Sequence, residues 1–292
     1  MPSLKPPRYA IAALNGFSQI LLQAHPVCGF LILLAMGLHA PELMIGAMLG
    51  VLASTLGAAA LGYPQADIDI GLYGYNGALL GLLLSLLLGL SALSLGLIAL
   101  GAAISNLLQV RLLTAMRERN WLPGFTLPFI LFGWFALALV GALAPAAPVW
   151  SETPLALNGT GLLLAVGSGI GQVIFLAQPL AGLLLLAAVW LADRKGAAWM
   201  LCGSVAGVAI GLATGAPEQQ VLAGLTGYNP ALAALAVSQV QRSWLAPLLA
   251  IITAAVLRLI FDQLGLPPLT MPFILACWLV ALGSRWYRLE RA

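Results

Sequence analysis

The chain has 292 residues, 62% of them hydrophobic and only 7% charged, with a mean hydropathy of +1.03 and a formal net charge of +3. A soluble domain carries about 25% Asp, Glu, Lys and Arg, so twelve basic and nine acidic residues are too few to coat a water-exposed surface of this size. A cytosolic enzyme, a nucleic-acid binder and a disordered chain are all excluded. The apolar stretches are continuous and rich in Leu, Ala and Gly, as at Leu79–Leu90 and Leu183–Leu191. They lack the alternation over about ten residues that a membrane barrel requires, so the expected class is an all-α polytopic membrane protein. Cys28, Cys202 and Cys277 lie far apart in apolar runs and match neither a disulfide framework nor a metal-ligand spacing. His25 and His39 have no nucleophile or ligand set beside them, so no catalytic centre, metal or cofactor is expected.

In chain order, a basic start at Met1–Arg8 leads into apolar spans near 10–39, 43–62, 73–91, 93–112 and 123–144. Spans of about 20 apolar residues cross a bilayer, and the first is long enough to include a half-depth piece. A Pro- and Ala-rich linker at 145–157 follows, and then spans near 163–192, 196–215, 226–241, 244–263 and 268–284. The basic start is read as the lead into the first span rather than a cleaved leader, because the run from Leu14 recurs deep in the chain.

That recurrence is systematic. Gly16, Gln19, Pro26 and Gly29 reappear 153 residues later as Gly169, Gln172, Pro179 and Gly182, and Pro64 reappears as Pro217. GYNGAL at Gly74–Leu79 returns as GYNPAL at Gly227–Leu232 with the same separation, and LPGFTLPF at Leu122–Phe129 returns as LPPLTMPF at Leu266–Phe273 after 144. The organisation expected is a first repeat at 10–144, the linker, a second repeat at 158–284 and a tail at 285–292.

Five spans per half is an odd number, which turns the second repeat upside down. The positive-inside rule agrees: with Lys5 and Arg8 cytoplasmic, eleven of the twelve basic residues fall on the cytoplasmic side, including the C-terminal arginines, and Arg258 is the exception. The fold expected is two inverted repeats of five spanning helices, each with a half-depth helix, around a central pore, with both termini cytoplasmic. Inverted repeats place a solute pathway near the membrane midplane, walled by interrupted helices. The repeated motifs carry Pro, Gly and Asn inside apolar surroundings and contain no Asp, Glu, Lys or Arg. Ion-coupled transport uses intramembrane ionisable groups, whereas amide, hydroxyl and backbone oxygens suit a small neutral solute with N–H donors.

The doubled LPxxTxPF, each copy preceded by GYNxxL and each half opened by a Gln-bearing segment, resembles the urea transporter family from about Gly16 to Ala281. The resemblance implies ten spanning helices with two half-depth helices, one pore per protomer of a homotrimer, urea as passive cargo and membrane lipid as surroundings, in a bacterial inner membrane. It implies Thr126 and Thr270 at the middle of a narrow filter and Gln19 and Gln172 at its two mouths. The slot walls would be Leu22, Tyr75 and Leu79 from the first half and Phe175, Tyr228 and Leu232 from the second. Asn76 and Asn229 are expected as half-helix caps. For the glutamines the alternative is hydrogen bonding between spans, for the threonines a hydroxyl bonded back to its own helix, and for the wall residues plain core packing. Another small neutral solute, such as a short-chain amide, ammonia or water, is the alternative cargo.

Overall fold

A computed structural model describes residues 6–143 and 156–289, with side chains described within 8–141 and 156–284. Nearly all of the expected linker, and the side chains of Arg285, Arg288 and Arg291, lie outside these limits. The chain divides into two compact units, which among the described residues take 6–119 with 124–143 and 120–123 with 156–289.

The first unit runs α1 (Pro6–Gln19), α2 (Pro26–His39), α3 (Pro41–Ala60), α4 (Gln65–Asp69), α5 (Gly74–Leu88), α6 (Ala92–Glu118) and α7 (Leu127–Leu143). The second runs α8 (Gly159–Gly171), α9 (Pro179–Ala192), α10 (Arg194–Ala213), α11 (Glu218–Leu222), α12 (Tyr228–Val240), α13 (Leu245–Gln263) and α14 (Met271–Leu289), with a 3₁₀ turn at Gln172–Ile174 after α8. By length and composition α3, α6, α10 and α13 can each cross a membrane. Large apolar side chains such as Phe30 (56% exposed) and Leu163 (76%) cover the outside, a surface suited to lipid rather than water.

Proline sets the breaks. The ring disfavours helical backbone at the preceding residue and supplies a ready first turn. His25 and Gln178 are extended accordingly, with Pro26 and Pro179 opening α2 and α9. The reading of 10–39 and 163–192 as spans thus resolves into broken pairs, and the Gly159–Ile174 and Pro179–Ala192 segments meet at a bend of 72°. The stretch 123–126 precedes α7 rather than belonging to it, and α6 runs six residues beyond the expected end at 112, to Glu118.

α5 and α12 are the inner helices of their units. Every residue from Gly74 to Ser85 and from Tyr228 to Ser238 is buried, which is why these segments are apolar on all faces. Without a hydrophobic drive between spans, close backbone approach at small residues does the packing. A Cβ built on Gly50 of α3 would fall on the Gly77 carbonyl of α5, and one on Gly203 of α10 would come within 2.5 Å of the Pro230 carbonyl of α12. At the surface the Arg8 guanidinium bonds both carboxylate oxygens of Asp69, joining α1 to α4, and holds that carboxyl below its usual range.

Gly50→Val drives a branched side chain into the Gly77 backbone and is expected to lower stability by about 3 kcal/mol. Gly96→Ala, where an added Cβ meets nothing within 4 Å, should leave stability unchanged or raise it by about 0.5 kcal/mol. Thermal denaturation of both variants in detergent, read by size-exclusion fluorescence, checks the contrast.

Candidate functional site

In each unit the repeated motifs build two small hydrogen-bonded clusters. The first surrounds the glutamine. Gln19 closes α1, and the chain then turns through Leu22, whose N–H donates to the Gln19 carbonyl. Ser18 braces this turn, with its hydroxyl donating to the Gln23 carbonyl at 2.7 Å and accepting from His25 N–H at 3.1 Å. In the second unit Phe175 N–H donates to the Gln172 carbonyl in the same way. Leu22 (φ +58°) and Phe175 (φ +61°) both stand in the left-handed region, which costs a residue with a Cβ about 1–2 kcal/mol. Such strain persists only where the surrounding structure imposes it.

Each glutamine amide is fixed by its donor. Gln19 Nε2 donates to the Ile70 carbonyl at 2.9 Å, and Gln172 Nε2 donates to the Ala223 carbonyl at 2.9 Å. Ile70 and Ala223 are the residues that end the five-residue helices α4 and α11. With one of its two N–H donors engaged, each amide is held in orientation on a half-buried side chain, and Oε1 can accept.

The second cluster surrounds the threonine. Thr126 and Thr270 are each 6% exposed and immediately precede α7 and α14, with carbonyls accepting from Ile130 N–H (3.0 Å) and Ile274 N–H (3.3 Å). The residues before them, Phe125 and Leu269, are left-handed at φ +43°. Tyr75 donates its hydroxyl to the Phe125 carbonyl at 2.5 Å, and Tyr228 donates to the Leu269 carbonyl at 2.7 Å. The tyrosines expected as walls therefore also hold, by their hydroxyls, the turn that presents the threonine. Leu79 and Leu232, each 2% exposed, follow one helical turn later on the same face.

Neither asparagine caps the helix it belongs to: α5 and α12 start without a side-chain cap. Asn76 Oδ1 instead accepts from Phe129 N–H at 3.1 Å, and Asn229 Oδ1 from Phe273 N–H at 3.1 Å, in the first turns of α7 and α14. The donor ends differ. Asn229 Nδ2 donates to the Leu269 carbonyl (3.0 Å), whereas Asn76 Nδ2 donates to Gln109 Oε1 (3.3 Å), whose Nε2 donates to the Tyr75 hydroxyl (3.1 Å). Gln109, 3% exposed, was not anticipated, although a glutamine inside an apolar span is a visible signal. Phe125 and Leu269 left no such signal, because neither residue type favours the left-handed turn it adopts.

Arg258 was the exception to the charge asymmetry. It is 6% exposed. Its Nε donates to both Asp262 oxygens at 3.0 Å, Nη1 donates to the Leu225 carbonyl, and Nη2 donates to Gln220 Oε1 at 3.3 Å. A buried arginine with this set of acceptors is an internal structural charge.

All-helical units whose apolar segments break at repeated, uncharged hydrogen-bonding clusters define a polytopic helical membrane protein. A family model described as "Urea transporter" matches residues 11–285. Urea transporter 1 of Ovis aries and that of Capra hircus are each 30% identical to this chain over 299 aligned residues, covering 92% of it and 75% of the relative. Urea transporter 1 of Rattus norvegicus is 28% identical with the same coverage. The chain belongs to the urea transporter family. It is an integral membrane protein of a passive transport family and not an enzyme.

Gln109→Leu should destabilise the protein by about 2 kcal/mol, because it strands the buried Asn76 Nδ2 and removes a donor to Tyr75. Removing both partners in Asn76→Leu/Gln109→Leu should cost less than the sum of the single changes, as measured by thermal denaturation in detergent.

Proposed function

We propose that this protein is a channel-like facilitator conducting urea passively down its gradient. The observation that carries the reading is the pinned glutamine in each unit: one Nε2–H donates to a backbone carbonyl at 2.9 Å, which fixes the amide and leaves its oxygen as an acceptor for a passing solute. Urea brings four N–H donors and a carbonyl acceptor. It exchanges water for these oxygens and for the Thr126 and Thr270 hydroxyls, while Leu22, Tyr75, Leu79, Phe175, Tyr228 and Leu232 set a slot that fits a flat molecule. Binding weak enough to release again is what conduction requires. The hydrogen bonds described above for the two clusters run between amides, tyrosine hydroxyls and backbone groups, a lining that favours a neutral cargo over a cation.

In this reading the repeats at 10–144 and 158–284 are inverted, each with five spans and a half-depth helix, and each protomer of a homotrimer holds its own pathway. Both termini are cytoplasmic, in a bacterial inner membrane. The burial and pairing of Arg258 support the orientation, since the remaining basic residues then obey the charge asymmetry without exception.

The test is stopped-flow urea flux into proteoliposomes. Wild-type protein should exceed protein-free vesicles clearly, and Thr126→Val/Thr270→Val should cut the rate about tenfold, the worth of roughly 1.4 kcal/mol of lost hydrogen bonding in the pathway. Urea permeability equal to that of empty vesicles, with short amides, ammonia or water still conducted, would replace urea with that solute. Unchanged urea flux in the double variant would remove the threonines from the filter.

A further inference from the structure

The carbonyls that hold the two glutamines end helices of only five residues, α4 and α11. Isolated helices shorter than about 12 residues do not hold their shape unaided, so something else must fix Ile70 and Ala223. In both units an arginine from the next long helix reaches the same position of the short one. Asp67 and Gln220 are 153 residues apart and each closes the turn after its helix, its carbonyl accepting from Leu72 N–H at 3.0 Å or Leu225 N–H at 2.9 Å. Arg117 of α6 donates to both Asp67 oxygens at 2.8 and 2.7 Å, and Arg258 of α13 donates to Gln220 Oε1 at 3.3 Å and to the Leu225 carbonyl.

The arginines do not occupy equivalent positions. At the 144-residue spacing of the following motif, Arg117 corresponds to Phe261 and Glu118 to Asp262, which places Arg258 almost one helical turn earlier on α13. Where the short helix carries Gln220 rather than a carboxylate like Asp67, the long helix supplies the counter-charge from Asp262. The same segment is thus gripped in both units by different means.

We propose that Arg117 and Arg258 are positioning residues for solute recognition: each fixes the short helix whose terminal carbonyl orients the glutamine, and so holds Oε1 in place. The inference rests on the glutamines lining the pathway, as proposed above. The two grips carry unequal burdens. α4 has a second set of ties, since Asp69 also receives Arg8 and Gln65 and its carbonyl receives Asn15. The residue equivalent to Asp69 in α11 is Leu222, so α11 depends more on its arginine than α4 does.

A double-mutant cycle on the full-length protein in proteoliposomes tests this, with rates normalised to folded protein. Arg258→Met should raise the half-saturating urea concentration and lower the preference for urea over methylurea by about fivefold, the range expected for one misplaced hydrogen-bond acceptor. Arg117→Met should change both by about twofold or less, given the remaining ties of α4. In a Gln172→Leu background Arg258→Met should have no further effect on the preference, because it acts through that side chain. Additive effects in that background, or an unchanged preference in Arg258→Met alongside a lower yield of folded protein, would overturn the proposal and leave a structural role. If Arg258→Met does not fold, Arg258→Lys takes its place in the same cycle with the same expected outcomes, since it keeps the charge but loses the planar fork. Wild-type vesicles that carry no urea would sink the transport reading separately, before any variant is compared.

Discussion

A chain surrounded by hydrocarbon must satisfy its backbone N–H and C=O groups from within, because no water reaches them. A continuous helix does so automatically, but an interrupted one must find side chains at each break. The interruptions here are placed where such side chains exist. Ser18 closes the turn after α1, Gln19 and Gln172 take carbonyls at the ends of α4 and α11, and Tyr75, Tyr228, Asn76 and Asn229 serve the approaches to α7 and α14. The polar residues of the motifs therefore have structural duties whatever else they do. In the transport reading, the oxygens left over from those duties are what the solute meets.

The inner helices α5 and α12 explain how such breaks are tolerated. They are wrapped on every side, and glycine contacts bring α3 and α10 against them at backbone distance. Tyr75 and Asn76 start one of these helices and Tyr228 and Asn229 the other, so groups fixed by the packed interior set the carbonyls and first turns around both threonines. Flexible loops on the same segments would let those oxygens turn, and an acceptor that turns cannot discriminate between solutes of similar size.

The helical class was legible because it rests on a pattern spread over the whole chain, the continuous apolar runs, and the motifs that return at fixed separations pointed to the residues of the clusters. The broken first span was foreshadowed by its length, whereas Pro26 and Pro179 entered the reading only as recurring positions. The residues of the two clusters could be found from the motifs, but their partners could not. Nothing in the sequence tells Asn76 to serve α7 rather than α5, since that choice depends on how the helices lie together. The left-handed turns at Phe125 and Leu269 were invisible for a different reason: local preference argues against them, and tertiary contacts impose them. Arg258 misled because a charge in sequence carries no label for burial.

The offset between Arg117 and Arg258 has a consequence for the history of the two halves. Similar segments within one chain can in principle be exchanged by recombination or gene conversion. Here an α13 swapped for a copy of α6 would set its arginine almost a turn too far along to meet Gln220 as Arg258 does, and an α4 swapped for α11 would leave Arg117 without its carboxylate. Exchange of either segment alone would break a pairing, so the short helix and the long helix of each unit match only as a pair.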